Sequence, residues 1–122
     1  MKKILVVEDN LDNREVIRTV LEHYGYTVVE AFDGEEGIEK ARNEQPDIIL
    51  MDLSLPKMDG WEATRQIKAM DALKKIPVIA ITAHAMSGDE ENAIKHGCDG
   101  YLAKPCDPKS IVEIVKKYLK ED

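Results

Sequence analysis

The sequence lacks a long hydrophobic run, and this absence excludes several classes of protein at the outset. No stretch approaches the roughly 18 apolar residues that a membrane-spanning helix needs. The basic start at Lys2 and Lys3 is followed by only four apolar residues before Glu8. The core of a signal peptide needs about seven or more. We therefore expect a cytoplasmic protein that does not insert into a membrane.

Cysteine is also scarce. Cys98 and Cys106 are the only two cysteines, and they have neither zinc-ribbon nor redox spacing. Because no export signal is present, we interpret both as reduced thiols. His84 and His96 lie near them in the sequence, but the spacings match no tight ligand pattern, so a Cys/His metal site is disfavoured.

Positive charge is in deficit as well. The formal net charge of −7 argues against nucleic acid or an anionic membrane as a partner, because both bind basic patches. The chain of 122 residues has the size of one ordinary domain, which buries roughly two-thirds of its unfolded surface. Such a domain needs neither disulfides nor a structural metal. We expect residues 1–122 to form one domain, with no output domain attached.

What the sequence does contain is a regular alternation of two periodicities. Short runs rich in Val, Ile and Leu are separated by segments with helical spacing of apolar residues. Such runs are typical of parallel strands that are buried on both faces, and the alternation predicts an α/β domain with helices on both sides of the sheet. The predicted strands are 3–8, 27–31, 47–52, 76–81 and 99–103.

Five helices are predicted between and after these strands. The fourth begins at a capping box, Ser87 to Glu90, but few strongly apolar residues follow it. A helix with so little to bury is expected to be held weakly and is a candidate moving part. The other helices start after the first strand, after Asp33-Gly34, after Asp59-Gly60 and at residue 108, where an amphipathic pattern runs to residue 120.

Polar side chains follow four of the apolar runs, where the ligand crevice of an open α/β sheet lies. Three of them are acids: Glu8, Asp9 and Asp52. Carboxylates this close repel one another, and a hard cation with oxygen ligands would remove the repulsion. Magnesium suits such a site because it accepts one or two carboxylates and shares phosphate oxygens. The acids taken alone are equally compatible with a solvated rim.

Lys104 and Thr82 complete the set at the same edge. An ammonium beside a metal-bound carboxylate makes an anion-binding corner, and a hydroxyl adds a donor to it. Aspartate can act as a nucleophile and form an aspartyl phosphate. Because Glu8 and Asp9 form a pair suited to holding the metal, Asp52 is the natural choice for the attacking carboxylate.

These residues occur in segments that resemble the receiver domain of two-component response regulators over nearly the whole chain. Any one segment is weakly specific, but all of them in this order and at these spacings are highly specific. The resemblance implies a flavodoxin-like (βα)5 fold, a doubly wound parallel five-stranded sheet with strand order 2-1-3-4-5. The matching segments are Glu8-Asp9-Asn10, Met51 to Gly60, Ile81-Thr82-Ala83 and Tyr101 to Pro105.

The resemblance also implies a role for each site residue. Asp52 would be the phosphoacceptor, assisted by Lys104 and Thr82, which would contact the phosphoryl oxygens. Magnesium would be bound by the Asp9 and Asp52 carboxylates and the Ser54 carbonyl, with Glu8 acting through water. Tyr101 would be an aromatic switch that turns inward as Thr82 moves. Ser54 and His84 would flank the path of the attacking water and tune the lifetime of the phosphoryl group, in opposing directions.

The expected partners follow from the same resemblance. A sensor histidine kinase or a histidine phosphotransfer protein would supply the phosphoryl group, docking on the first helix. A downstream protein, whose identity the sequence does not give, would bind the surface of the fourth helix, fifth strand and last helix. We expect no enzyme activity beyond promotion of the domain's own phosphorylation and dephosphorylation.

Several alternatives stay open at this stage. Within the family, the chain is a stand-alone regulator, a phosphorelay intermediate or a receiver fragment of a hybrid kinase. Outside it, a phosphatase of the aspartate-nucleophile class would need a second acid where Ser54 stands. A flavodoxin would need a phosphate-cradling loop in place of the acidic segment after the first strand, and a pseudo-receiver would have lost a key residue.

Overall fold

The computed structural model describes residues 2–53, 60–82, 97–103 and 107–120. Within these ranges five strands and four helices alternate along the chain, apart from β4 and β5, which follow one another. The strands are β1 (Lys3–Val7), β2 (Thr27–Ala31), β3 (Ile48–Asp52), β4 (Val78–Thr82) and β5 (Gly100–Ala103). The helices are α1 (Leu11–His23), α2 (Gly34–Glu44), α3 (Gly60–Ala69) and α4 (Pro108–Leu119).

All four strand pairs are parallel, and the sheet has the order β2-β1-β3-β4-β5. The predicted flavodoxin-like strand order is therefore confirmed. The central strands β1 and β3 consist of residues that are almost entirely buried, as expected for parallel strands covered on both faces. This arrangement brings the ends of β1 and β3 side by side, away from the solvent at the sheet's two outer edges.

The core has two halves, one on each face of the sheet. On one face α2 and α3 contribute buried residues such as Ile38 and Ile67. On the other face Ile17 of α1 and Ile111 of α4 pack against the same sheet. The helices thus cover both faces, which is the doubly wound architecture predicted from the alternating pattern. Trp61 is partly buried against the first of these clusters.

Helix starts in this fold are fixed by side-chain caps. The Asn10 side chain accepts a hydrogen bond from the Asn13 amide at 2.9 Å, and Asp33 and Asp107 cap α2 and α4 in the same way. Asn10 directly follows Asp9, so the acidic pair is held between the end of β1 and the first turn of α1. The cap therefore fixes the short connection on which the acids lie.

The boundaries of β4 differ most from the prediction. The sequence pattern predicts residues 76–81, whereas the strand spans Val78–Thr82. Ile76 donates its amide to the Leu73 carbonyl in a turn, at 3.0 Å, and Pro77 has no amide hydrogen to give to the ladder. The apolar run therefore begins before the strand does. The other strand boundaries agree with the prediction within one residue.

Some predicted features lie outside the described residues. They are the fourth helix beginning at Ser87, the loop residue Ser54, and the site residues His84 and Lys104. Among the helices that the structure describes, none combines the length and the apolar character that a membrane crossing requires.

Candidate functional site

The register between β1 and β3 places two acids at the same level of the sheet. Val7 lies opposite Met51, and the next residue on each strand is an acid, Glu8 and Asp52. Both side chains are buried, with 1% of their surface exposed. The sequence pattern predicted this meeting of strand ends, and the structure shows it.

Asp9 joins these two residues to form a three-carboxylate group, which we call the acidic cluster: Glu8, Asp9 and Asp52. One carboxylate oxygen from each residue lies within 4.8 Å of the other two. Asp9 is exposed whereas its two neighbours are buried, so the cluster is open to solvent on one side. In the part of the chain that the structure describes, it is the one group of this kind with metal-binding spacing.

The acidic cluster fits a magnesium ion on chemical grounds. It offers hard oxygen donors, their like charges need a counter-charge, and the open side leaves room for the waters that magnesium retains. A bound cation would offset the repulsion between these close carboxylates. The donor set therefore suits a divalent cation that shares its coordination sphere with an incoming oxyanion.

Glu8 is fixed by contacts with the start of α1. Its Oε1 accepts hydrogen bonds from the Asn10 amide at 3.4 Å and from the Asn13 side-chain amide at 3.3 Å. Its backbone carbonyl accepts a hydrogen bond from Arg14 Nη1 at 2.9 Å. Both the side chain and the main chain of this acid are therefore held by the helix that follows it.

Asp52 is positioned by the first residue of α3. The Gly60 amide donates to the Leu53 carbonyl at 3.2 Å. A Cβ atom built on Gly60 would lie 2.2 Å from the Asp52 carbonyl oxygen and 2.7 Å from the Leu53 Cα. Because both are backbone atoms, they could not move aside cheaply. The helix approaches the end of β3 this closely only because residue 60 is a glycine.

The remaining predicted site residues are described in part. Thr82 is the last residue of β4. Because Asp52 pairs with Ile81, the Thr82 backbone lies next to the end of β3. Tyr101 lies on β5 and is half-buried against the core. The side chain of Thr82 is not among the described features, and Ser54, His84 and Lys104 lie outside the described ranges. Their predicted roles stay predictions.

Two contributors were not identified from the sequence. They are Arg14 and Gly60, and the sequence pattern marks Gly60 only near the start of a helix. A signal for Arg14 was available: it shares the helical spacing of Ile17 and Leu21, which places it on the buried face of α1. Gly60 gave no comparable signal, since its close approach to Asp52 arises from the packing of α3 against the end of β3.

Cys98, at the opposite end of the sheet, has none of the features of a reactive thiol. It is buried, and its Sγ lies 3.9 Å from the Thr64 hydroxyl. Burial raises the pKa of the Cys98 thiol to about 11, opposed by the Thr64 contact and by nearby Lys68 and reinforced by Asp99. A thiol held in this form is a core residue rather than a nucleophile.

Comparison with known proteins decides the family. The chain matches the response regulator receiver domain family over residues 4–116. This chain is a receiver domain of that family. The assignment agrees with the strand order and with the location of the acidic cluster at the carboxyl ends of β1 and β3.

Individual relatives of this receiver domain support the same assignment. The polar-differentiation response regulator DivK of Brucella anthropi is 42% identical over 118 residues, covering 97% of this chain and 96% of the relative. The receiver domain of a sensor histidine kinase from Pseudomonas aeruginosa PAO1, solved with a magnesium ion coordinated in its active-site cleft, is 39% identical. Its TM-score is 0.91, with 98% of each chain covered.

A third similar protein comes from chemotaxis. The chemotaxis protein CheY4 of Vibrio cholerae is 27% identical and has a TM-score of 0.92, with 97% of this chain and 98% of that chain covered. Receivers in quite different signalling contexts thus share this backbone. These comparisons show the fold and the family.

Proposed function

We propose that this receiver domain accepts a phosphoryl group on Asp52 in a magnesium-dependent reaction. The observation that carries the proposal is the acidic cluster, in which buried Asp52 lies within 4.8 Å of two further carboxylates at the end of the central strand. The donor is the phosphohistidine of a sensor histidine kinase or of a histidine phosphotransfer protein. The domain is a phosphoacceptor and not a conventional enzyme.

In the proposed step an Asp52 carboxylate oxygen attacks phosphorus in line. The new P–O bond forms as the P–N bond to the donor imidazole breaks, and the imidazole leaves with that electron pair. Bound magnesium would neutralise the oxygens of Asp52 and the phosphoryl group. Asp9 and Asp52 would hold it directly with the Ser54 carbonyl, and Glu8 would act through water.

Two further residues would recognise the transferred group. Lys104 supplies a positive charge and Thr82 a hydroxyl to the phosphoryl oxygens. These bonds exist only in the phosphorylated state, so they favour one conformation over another. Tyr101, half-buried on β5, would respond to the movement of Thr82. Ser54 and His84 would set access of water to the phosphoryl group and so its lifetime.

We assign two surfaces to two partners. The outer face of α1 is the proposed docking site for the phosphodonor, and it carries the exposed apolar residues Leu11 and Val16. Val16 also lines a shallow groove on this face, with Asp12, Glu15, Thr19 and Val20. The proposed surface for a downstream protein is formed by the fourth predicted helix, β5 and α4.

The proposed location of the protein is the cytoplasm, because the histidine kinases that supply the phosphoryl group use ATP inside the cell.

A second candidate function has its own support. Similarity to the receiver of a sensor histidine kinase at 39% identity favours a phosphorelay intermediate, which returns its phosphoryl group to a histidine phosphotransfer protein, or a receiver from a hybrid kinase. Similarity to DivK at 42% favours a regulator that binds a target protein. Incubating the phosphorylated domain with a phosphotransfer protein separates them: rapid back-transfer supports the relay, and stable phospho-dependent binding to a target supports the regulator.

The primary test is chemical. The protein is incubated with acetyl phosphate and magnesium, and the intact mass is measured for wild type, Asp52→Asn and Asp71→Asn. Asp71 is a matched control because it lies on the surface, with 97% of its side chain exposed. We expect one added phosphoryl group on wild type and on Asp71→Asn, and none on Asp52→Asn. Equal addition to Asp52→Asn would refute the assignment.

The metal requirement is tested by unfolding. Magnesium at about 100 times its dissociation constant should raise the free energy of unfolding by about 2.7 kcal/mol. The increase should be smaller in Asp9→Asn, because this variant lacks the negative charge of the Asp9 carboxylate. It should also vanish at acid pH, because a carboxylate must be deprotonated to bind the ion. An equal increment in Asp9→Asn and wild type would remove Asp9 from the metal site.

A further inference from the structure

The edge strand β2 contributes no carboxylate to the acidic cluster, yet it is connected to the cluster through one side chain. Arg14 of α1 reaches from β2 to the end of β1. Its Nε lies 3.2 Å from Glu30 Oε1 on β2, and its Nη1 donates to the Glu8 carbonyl at 2.9 Å. One guanidinium thus joins two neighbouring strands at the end where the acids lie.

The burial of Arg14 shows that this contact is built into the fold. The residue is 6% exposed, and a buried guanidinium is costly unless its charge is matched and its donors are bonded. Glu30 supplies the charge, the Glu8 carbonyl accepts a donor, and the Phe32 ring covers the guanidinium at 4.1 Å. The planar fork of arginine suits two acceptors in different directions.

The backbone of Glu8 is held at both its amide and its carbonyl as a result. The Glu8 amide donates to the Ala31 carbonyl at the end of β2, at 3.1 Å, while the Glu8 carbonyl accepts from Arg14. That carbonyl belongs to the peptide bond that joins Glu8 to Asp9. Because the Asp9 side chain is exposed, its location depends on the backbone that carries it. Holding this peptide plane therefore restrains the backbone from which the Asp9 carboxylate projects.

We propose that Arg14 is a positioning residue for the magnesium site, acting through the Glu8–Asp9 peptide. The proposal rests on the metal site of the proposed function. Asn13, the preceding residue, holds the Glu8 carboxylate at 3.3 Å, so consecutive residues of α1 orient the side chain and the main chain of the same acid. Arg14 touches neither the ion nor the phosphoryl group in this role.

The matched control is Arg18, one helical turn further along α1. Its Nη1 lies 3.1 Å from Glu30 Oε2, so it pairs with the same glutamate. Arg14→Met and Arg18→Met each remove one positive charge and keep an unbranched apolar side chain. The loss of one positive charge is therefore common to both variants. Arg14 differs from Arg18 in its contact with the Glu8 carbonyl and in its deeper burial.

The test measures magnesium affinity by isothermal titration calorimetry on folded protein. Loss of a residue that orients a metal ligand typically weakens binding about 10- to 100-fold. We expect Arg14→Met to weaken magnesium binding by about tenfold or more and Arg18→Met to change it by about twofold or less. Equal dissociation constants for the two variants would overturn the proposal.

Two further measurements separate positioning from general destabilisation. Urea unfolding without magnesium measures how much each substitution lowers the free energy of unfolding. This loss should be independent of the change in magnesium affinity. Phosphorylation of Arg14→Met should recover when magnesium is raised to saturation, because Asp52 itself is unchanged. Failure to recover, with magnesium bound, would contradict a role through the metal.

Arg14→Lys keeps the proposal testable if Arg14→Met does not fold. Lysine retains the charge, but a single ammonium cannot reproduce the fork between Glu8 and Glu30, so affinity should still fall. Wild-type affinity in Arg14→Lys would overturn the proposal. A wild-type protein that binds no magnesium would remove the metal site and this inference together, whereas binding that is insensitive to Arg14 would remove the inference alone.

Discussion

Charged residues are arranged in opposite ways at the two ends of the sheet. At the amino ends of β4 and β5, Lys68 Nζ donates to Asp99 Oδ2 at 2.7 Å and to the Ile76 carbonyl at 2.8 Å. The same Asp99 oxygen accepts the Val78 amide at 2.9 Å, and the Tyr118 hydroxyl donates to the Asp99 carbonyl. At the carboxyl ends of β1 and β3, three carboxylates lie within 4.8 Å of one another.

The group at the amino end has a structural role, whereas the group at the carboxyl end has a functional one. At the amino end opposite charges meet and hydrogen bonds tie α3, β4, β5 and α4 together, so the group stabilises the fold. At the carboxyl end like charges meet in a partly buried site, and a bound cation would relieve their repulsion. Polar residues at a strand end are therefore informative through the charges around them.

The largest expected effect comes from the same substitution at each end. Asp52→Asn should abolish phosphoryl addition, because it removes the attacking carboxylate. Asp99→Asn should leave phosphoryl addition intact and lower the free energy of unfolding by about 1 kcal/mol. Intact mass and urea unfolding measure the two properties. Loss of phosphoryl addition in Asp99→Asn would show that the amino-end group also contributes to phosphorylation.

A second prediction concerns the packing behind Asp52. Gly60→Ala would force a methyl group into the Asp52 carbonyl, 2.2 Å away, and should cost about 2–3 kcal/mol while also slowing phosphorylation. Gly37→Ala is the control, because its added methyl would meet only the Val7 side chain, at 3.0 Å. Gly37→Ala should lower the free energy of unfolding by less and leave phosphorylation unchanged. If both variants phosphorylate normally, Gly60 does not position Asp52.

A smaller effect is expected from Lys68→Met at the amino end. The substitution removes the donor to Asp99 and to the Ile76 carbonyl, which should cost about 1–2 kcal/mol. Magnesium affinity should stay at its wild-type value, since the acidic cluster lies at the far end of the strands. Urea unfolding and calorimetry give the two numbers. A coupled loss of magnesium affinity would show that the ends are not independent.

The smallest effect concerns Cys98, beside the amino-end group. In a Cys106→Ser background the native thiol should react slowly with a thiol reagent at pH 8, because its pKa is raised to about 11 and only the thiolate attacks. The fold favours the protonated form, so its contribution to stability is full below the ordinary pKa of 9.0 and is lost as pH rises towards 11. Prompt reaction of the native protein at pH 8 would contradict this.

Much of the site was predictable because strand ends can be located in the sequence. Short apolar runs identify buried parallel strands, and an acid directly after such a run must lie at the carboxyl edge. Glu8, Asp9 and Asp52 were found in this way. The start of β4 was predicted two residues early because hydrophobicity does not report a turn at Ile76 or the missing amide hydrogen of Pro77.

Periodicity and residue order along the chain predict the class of fold and the acids that meet, and the order of the motifs predicts the family by resemblance. Tertiary structure alone decided how the acids are held. Arg14 bridges Glu30 and the Glu8 carbonyl across two strands, and Gly60 lets α3 contact the backbone of Asp52. These contacts join different helices and strands, and their strength depends on burial and on distances of a few tenths of an ångström, which residue order does not specify.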